Sequence, residues 1–253
     1  MTPVATVHLV GAGPGAADLL TLRAARLLGE ADVVFHDALV PQEILSLIPE
    51  AKRTAVGKRS GRHSTAQAFI NKQLFDAARR HRTVVRLKGG DPMLFGRAQE
   101  EIDYLVRRGI RVEVVPGVTA ALAAGADLRI SLTQRGKARS VVFVTPRTAP
   151  GAPENGWVKA VLAADTAAIY MGSGEGLLIA QALMAAGKPA STPVAIVENA
   201  SLPASAVRFG RLMDLAEIAA RRSPGPALIL VGEVYAAAAE ACAGLRRTAS
   251  HAA

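Results

Sequence analysis

Leu9-Val10-Gly11-Ala12-Gly13-Pro14-Gly15-Ala16 carries an apolar run into a glycine-rich turn, and a helical pattern follows from Ala17. A strand, a tight turn and a helix N-terminus in that order open an α/β fold. The spacing Gly11, Gly13, Ala16 also fits the G-x-G-x-x-G/A turn that holds a pyrophosphate in dinucleotide-binding folds. Asp37 closes the next apolar run, Val33-Val34-Phe35, where such folds place a ribose-binding acid. Taken alone, these residues read as an NAD(P)-dependent oxidoreductase or a flavin enzyme.

Outward from that turn, strands are predicted at 5–10, 33–35, 53–56, 84–87 and 112–115. Helices are predicted at 17–30 (with Asp18 in the first turn), 41–48, 65–80 and 97–108. Strand and helix alternate, which predicts a first α/β domain over 1–116 with a mostly parallel sheet. Pro116-Gly117 reads as a hinge. The second domain, 117–244, begins with a small-residue helix at 118–127. It continues with a strand at 140–145, a Pro/Gly/Ala-rich loop at 147–155, a strand at 167–171 and a helix at 174–186. Strands at 193–197 and 206–210, a helix at 212–222 and a strand at 227–231 complete it. Segments 193–197 and 206–210 are too close for a parallel crossover, so the second sheet is predicted to be mixed. The tail, 245–253, is expected to be disordered.

Half of the 253 residues are hydrophobic and only 4% are aromatic, so Ala, Val and Leu carry the core. The formal net charge of +9 suits nucleic acid, an anionic membrane surface or a polyanionic small molecule. So few aromatic side chains argue against a base-stacking surface, and nucleic acid is not expected as a partner. One cysteine, Cys242, allows no intrachain disulfide and no cysteine-based metal site. No apolar run approaches the about 20 residues of a membrane span. A soluble cytoplasmic protein is expected, with no membrane partner.

Ligands of open α/β sheets gather beyond the carboxyl ends of the strands. Four such ends are unusual here: Gly11 to Gly15, His36-Asp37, Gly57 to His63 and Lys88 to Asp91. Together they bring glycine backbone, two carboxylates (Asp37, Asp91) and a basic group (Lys58, Arg59, Arg62, Lys88) to one edge. Singly, each has a plainer explanation: a cap, a solvated charge run or a turn before Pro92. Their joint position points to a binding site.

These stretches resemble the uroporphyrinogen-III C-methyltransferases within the tetrapyrrole (corrin and porphyrin) methylase family. The resemblance rests on VHLVGAGPGAADLLTLRA at 7–24, ADVVFHDALV at 31–40, VGKRSGRHSTAQAFIN at 56–71 and VVRLKGGDPMLFGRAQEE at 84–101. VEVVPGVTAALAAG at 112–125, SVVFVTPR at 140–147, YMG at 170–172, PVAIVENAS at 193–201 and SPGPALILVGEV at 223–234 extend it. The run RLKGGDP followed by FGR is the most specific part.

The resemblance implies two α/β domains, a homodimer, and S-adenosylmethionine held in a cleft between the domains, with S-adenosylhomocysteine as product and no metal. It implies that Pro14, Gly89, Gly90, Asp91, Leu94, Thr119, Ala120, Met171 and Ala200 line the donor site. It implies Asp37 as proton acceptor and Lys58 as proton donor. The implied reaction methylates uroporphyrinogen III at two ring carbons to give precorrin-2, for sirohaem, cobalamin and haem d1. A substrate with eight carboxylates suits a basic cleft, and Arg59, Arg62, His63, Lys88 and Arg97 are its expected contacts.

Three places in the chain depart from the family pattern. Ala98-Gln99 stand where two glycine-rich positions are usual, Gln134-Arg135-Gly136 replace a His-Arg-Asp run, and Ala200 stands where glycine is common. These leave open a methylase of a later corrin intermediate. A non-catalytic tetrapyrrole-binding protein is the further alternative, disfavoured by the retained Asp37 and Lys58.

Overall fold

The computed structural model describes residues 5–56, 67–148, 151 and 155–242. The chain forms two compact units, Met1–Ala120 and Ala121–Ala253, each with its own five-stranded sheet.

In the first unit the strands are β1 (Thr6–Gly11), β2 (Val33–His36), β3 (Arg53–Ala55), β4 (Thr83–Lys88) and β5 (Arg111–Val115). The helices are α1 (Leu22–Glu30), α2 (Gln42–Ser46), α3 (Gln67–Ala78) and α4 (Ala98–Val106). The sheet runs β3-β2-β4-β1-β5, and every pair in it is parallel. Alternate side chains of the central strands pack opposite layers, as the two-residue period requires. Val10, Val85 and Leu87 meet Ala24, Leu27 and Leu28 of α1. Val7, Leu9 and Val84 meet Leu74 of α3 and Leu105 of α4. The chain leaves β1 across β4 towards β2, and leaves β4 across β1 towards β5. These opposed departures put a switch point at the carboxyl ends of β1 and β4, where α/β sheets open a crevice.

The expected helix over 17–30 is divided. Ala17–Leu19 is a single 3-10 turn, and Thr21 then caps α1 by accepting the Ala24 N–H at 3.1 Å. A threonine cap competes with helix continuation, so Asp18 lies outside α1 and not in its first turn. At the opposite edge of the sheet, the Asp32 carboxylate accepts the Arg82 and Thr83 N–H groups, each at 2.9 Å, and ties the start of β2 to that of β4.

In the second unit α5 (Ala120–Leu128) begins at the division, and β6 (Val141–Val144), α6 (Trp157–Ala163), β7 (Thr166–Ile169) and α7 (Gly176–Ala185) follow. Then come β8 (Pro193–Glu198), β9 (Ala206–Arg211), α8 (Leu215–Ala220) and β10 (Ala227–Gly232). Residues 236–242 are helical. The order is β6-β7-β10-β8-β9, with β6–β7 parallel and the other pairs antiparallel. The β8–β9 hairpin is the pairing that the short spacing demanded.

Three backbones of the first unit cross at its carboxyl edge. A Cβ on Gly117 would lie 2.4 Å from the Gly90 carbonyl oxygen and 2.9 Å from the Gly11 Cα. A Cβ on Gly11 would lie 2.6 Å from Gly117 and 2.7 Å from the Gly90 oxygen. Gly117→Ala is therefore expected to destabilise the protein by about 1–3 kcal/mol through overpacking. Gly29→Ala, inside α1 with open space around it, should be neutral or stabilising. Urea unfolding of both variants checks this; an unchanged midpoint for Gly117→Ala would contradict the crossing.

Candidate active site

The loops that leave β1 and β4 are stitched together by backbone. The Ala12 N–H donates to the Lys88 carbonyl at 2.7 Å, and Gly13 and Gly90 exchange N–H···O bonds of 3.2 and 2.7 Å. Gly90 has φ +69°, a conformation that favours glycine, and a Cβ there would meet nothing within 4 Å. The side of its Cα where a Cβ would stand thus borders open space. Pro14, Gly89 and Leu94 lie half-buried on the same two loops, with Thr119 buried and Ala120 half-buried beyond β5. Asp91 fastens this edge: Oδ1 accepts the Met93 N–H at 2.8 Å and Oδ2 accepts the Gly117 N–H at 3.0 Å. Both of its oxygens serve the backbone.

Beside this corner lies a chain of charges. The Asp37 N–H donates to the Leu87 carbonyl at 3.2 Å, which sets the carboxylate next to β4. The Arg86 guanidinium donates through Nη2 to Asp37 Oδ1, through Nε to Glu101 Oε1 at 3.2 Å and through Nη1 to the Leu87 carbonyl at 3.2 Å. Lys88 Nζ donates to the same Glu101 oxygen at 3.1 Å. Arg86 and Lys88 share a face of β4 because they stand two residues apart. Glu101 meets them from α4. The side chains of Arg86, Lys88 and Glu101 are 2%, 4% and 0% exposed, whereas Asp37 keeps 28%. Burial, and then the Arg86 charge, push the Lys88 ammonium below its ordinary pKa.

This geometry corrects one expected substrate contact. Lys88 is not a surface cation open to a polyanion, because its ammonium is inside the unit and bonded to Glu101. Arg97 is exposed, and its Nε and Nη2 bond the two Glu100 oxygens at 2.8 and 2.7 Å. Lys58, Arg59, Arg62 and His63 lie outside the described residues. Arg86 and Glu101 escaped the sequence reading. The signal for Arg86 was a charge in the middle of the apolar run Val84 to Leu87. For Glu101 it was a helix position that only the fold shows to face inward.

In the second unit, Met171 follows β7 with φ +57° and is exposed. The Tyr170 hydroxyl beside it accepts the Ala121 N–H at 3.1 Å. Ala200 is buried between Asn199 and Ser201, both at positive φ. Asp127 Oδ2 holds that turn by accepting from the Ser201 N–H at 2.7 Å and the Ser205 hydroxyl at 3.2 Å. The departures from the family pattern have local explanations. Ala98 packs in the first unit's core, and Gln99 bonds Asp103 at 2.7 Å on the surface of α4. Gln134 and Ala138 exchange two backbone bonds of 2.8 Å around a tight turn with Gly136 at φ +78°.

Among the described residues, no group of His, Cys, Asp and Glu side chains could hold a metal ion, and no helix is long and apolar enough to cross a membrane. Residues 6–216 match the family model described as Tetrapyrrole (Corrin/Porphyrin) Methylases. The chain belongs to that family. Uroporphyrin-III C-methyl transferase from Thermus thermophilus, complexed with S-adenyl homocysteine, superposes with a TM-score of 0.81 at 41% identity, covering 92% of this chain and 99% of that one. A cobalt precorrin-4 methyltransferase superposes with a TM-score of 0.78 at 27% identity, covering 90% of this chain and 95% of that one. Siroheme synthase 1 of Cronobacter sakazakii is 46% identical over 233 residues, which are 92% of this chain and 49% of that protein. Siroheme synthase of Actinobacillus pleuropneumoniae is 44% identical over 90% of this chain and 47% of its own length. The chain thus spans about half the length of the curated relatives it matches.

A methylase of this family takes the place of the oxidoreductase reading, and the strand order shows why the glycine turn misled. A dinucleotide-binding sheet sets β2 directly beside β1. Here β4 lies between them, and its Arg86 occupies the acid that would have served a ribose. Replacing Asp91 by alanine is expected to leave the Gly117 and Met93 N–H groups without their acceptor and to cost about 1–3 kcal/mol. Amide hydrogen exchange at Gly117 should accelerate; unchanged protection would contradict the fastening role.

Proposed function

We propose that this chain transfers methyl groups from S-adenosylmethionine to two ring carbons of uroporphyrinogen III, giving precorrin-2. One observation carries the reading. The same stretch that matches only about half of each siroheme synthase matches 99% of the Thermus thermophilus methyl transferase chain. What this chain shares with both is the methyltransferase portion. The product would feed sirohaem, cobalamin and haem d1 routes, and the protein would act as a cytoplasmic homodimer.

The residues suit the donor. The absent side chain of Gly90 leaves open space at the switch point, and Asp91 fastens that corner. We assign Pro14, Gly89, Gly90, Asp91, Leu94, Thr119 and Ala120 of the first unit to the donor, together with Met171 and Ala200 of the second. S-adenosylmethionine, when bound, supplies an electrophilic methyl group on a sulfonium. The protein's share of the work is then orientation, since attack by an electron-rich pyrrole carbon requires alignment above all. The methylated ring carries positive charge until it loses a proton. Asp37 is proposed to accept that proton with the oxygen that Arg86 does not hold. Lys58 is proposed as the proton donor, with Arg59, Arg62, His63 and Arg97 on substrate carboxylates. Arginine suits that task because its planar fork matches a carboxylate.

Incubation with uroporphyrinogen III and S-adenosylmethionine labelled in the methyl group is expected to place two labels on each macrocycle. Label found only on later corrin intermediates would overturn the reading. Asp37→Ala should lower turnover by on the order of 100-fold while S-adenosylhomocysteine affinity by calorimetry stays close to the parent's. Thermal stabilisation by NAD but not by S-adenosylhomocysteine would remove the donor assignment.

A further inference from the structure

Arg86, Glu101 and Lys88 form a buried ion cluster that a packing argument does not explain. Glu101 Oε1 accepts from Arg86, Lys88 and Gln67 Nε2, the last at 3.0 Å. Its other oxygen, Oε2, is buried and has no hydrogen-bond partner among the described residues. Taking these charges out of water costs several kcal/mol each, and apolar replacements of buried ion clusters are often as stable or more so. A cluster kept for stability alone would satisfy both oxygens. Crowding three donors on one oxygen instead draws Arg86 towards α4 and fixes the plane of its guanidinium.

All three nitrogens of that guanidinium are committed: Nε to Glu101, Nη1 to the Leu87 carbonyl and Nη2 to Asp37. The fork cannot turn without breaking a bond at a buried site. Its outward end is the only part that reaches a half-exposed group, and that group is Asp37. We infer that Arg86 and Glu101 are positioning residues, which fix the orientation of the Asp37 carboxylate at the carboxyl edge of the first sheet. The inference rests on the reading of Asp37 as the proton acceptor. Glu101 acts through Arg86: it anchors the inner end of the fork and offsets the repulsion between Arg86 and Lys88. Among the described residues, the charged and titratable groups around Asp37 are His36 of β2, whose Nδ1 lies 3.2 Å from the Asp37 carbonyl, Arg86 and Lys88 of β4, and Glu101 of α4.

Arg86→Lys keeps the charge and removes the fork, and Glu101→Gln keeps the shape and removes the anchor's charge. Both are expected to lower kcat by about 10- to 100-fold, the cost of a small misplacement, with KM for uroporphyrinogen III within about three-fold. S-adenosylhomocysteine affinity should stay within about two-fold, since neither residue belongs to the donor corner. In an Asp37→Asn background, Glu101→Gln should lower kcat no further, because its effect passes through Asp37. Additive losses, or a rise in KM alone, would overturn the inference. A second measurement is independent of turnover. The ¹³C carboxyl resonance of Asp37, assigned by its loss in Asp37→Asn, should shift in Glu101→Gln, where the charged anchor of the Arg86 fork is gone. An unmoved resonance in a folded variant would overturn the positioning role. If the parent protein fails to methylate uroporphyrinogen III, the functional reading falls and the resonance alone decides the network.

Discussion

The first unit depends on how closely β1, β4 and β5 approach at their carboxyl ends. Gly11, Gly90 and Gly117 meet there with separations that leave no room for a side chain at two of the three positions. That contact lets the Gly13–Gly90 bridge form, and Asp91 then closes it against the N–H of Gly117. The result is a rigid corner at the switch point of a fully parallel sheet. Rigidity matters for methyl transfer because alignment, rather than acid or base strength, accounts for most of what a protein can add to the displacement. The open space beside Gly90 is a consequence of the same corner: once its neighbours are fastened, the side where a Cβ would stand has nothing to touch.

Charge inside the unit follows from the same topology. Because β4 is inserted between β2 and β1, its side chains at Arg86 and Lys88 are enclosed by strands on both sides and by α4 above. Two cations on one face of a buried strand require an anion within reach, and Glu101 supplies it. The remaining guanidinium bond goes outward to Asp37. The +9 of the chain therefore divides into cations that hold the interior and cations open to solvent, such as Arg97. Only the second kind can meet a polyanion directly.

Much of the architecture was legible because apolar runs and turn residues obey local rules. β1 and β4, buried along their length, read as near-continuous apolar runs, and the close spacing of β8 and β9 excluded a parallel crossover. The break before α1 was not legible, because Leu19 and Leu20 continue the helical pattern and only the Thr21 cap interrupts it. For the site, position along the chain revealed which loops share an edge but not which charges are exposed. Lys88 and Arg97 look alike in a sequence, and their burial differs because one ends a central strand and the other precedes an exposed helix turn. Glu100 and Glu101 are adjacent and face opposite environments for the reason that helical neighbours diverge by about 100°.

The glycine turn at Gly11 to Ala16 shows why a spacing motif alone cannot name a ligand. In a dinucleotide fold the first glycine permits a tight turn and the second lets backbone approach a pyrophosphate. Here Gly11 is required by contact with Gly90 and Gly117, backbone against backbone, and Gly13 by its bridge to the loop after β4. Both proteins need glycine at the same place in a strand–turn–helix unit, so the letters coincide while their causes differ. The discriminating fact is which strand lies beside β1. With β2 as neighbour, an acid at its end reaches a ribose. With β4 as neighbour, the acid at the end of β2 meets an arginine and becomes part of a charge network at the edge. Strand order, which no short motif encodes, therefore decides whether Asp37 is free to meet a ribose or is tied into a charge network.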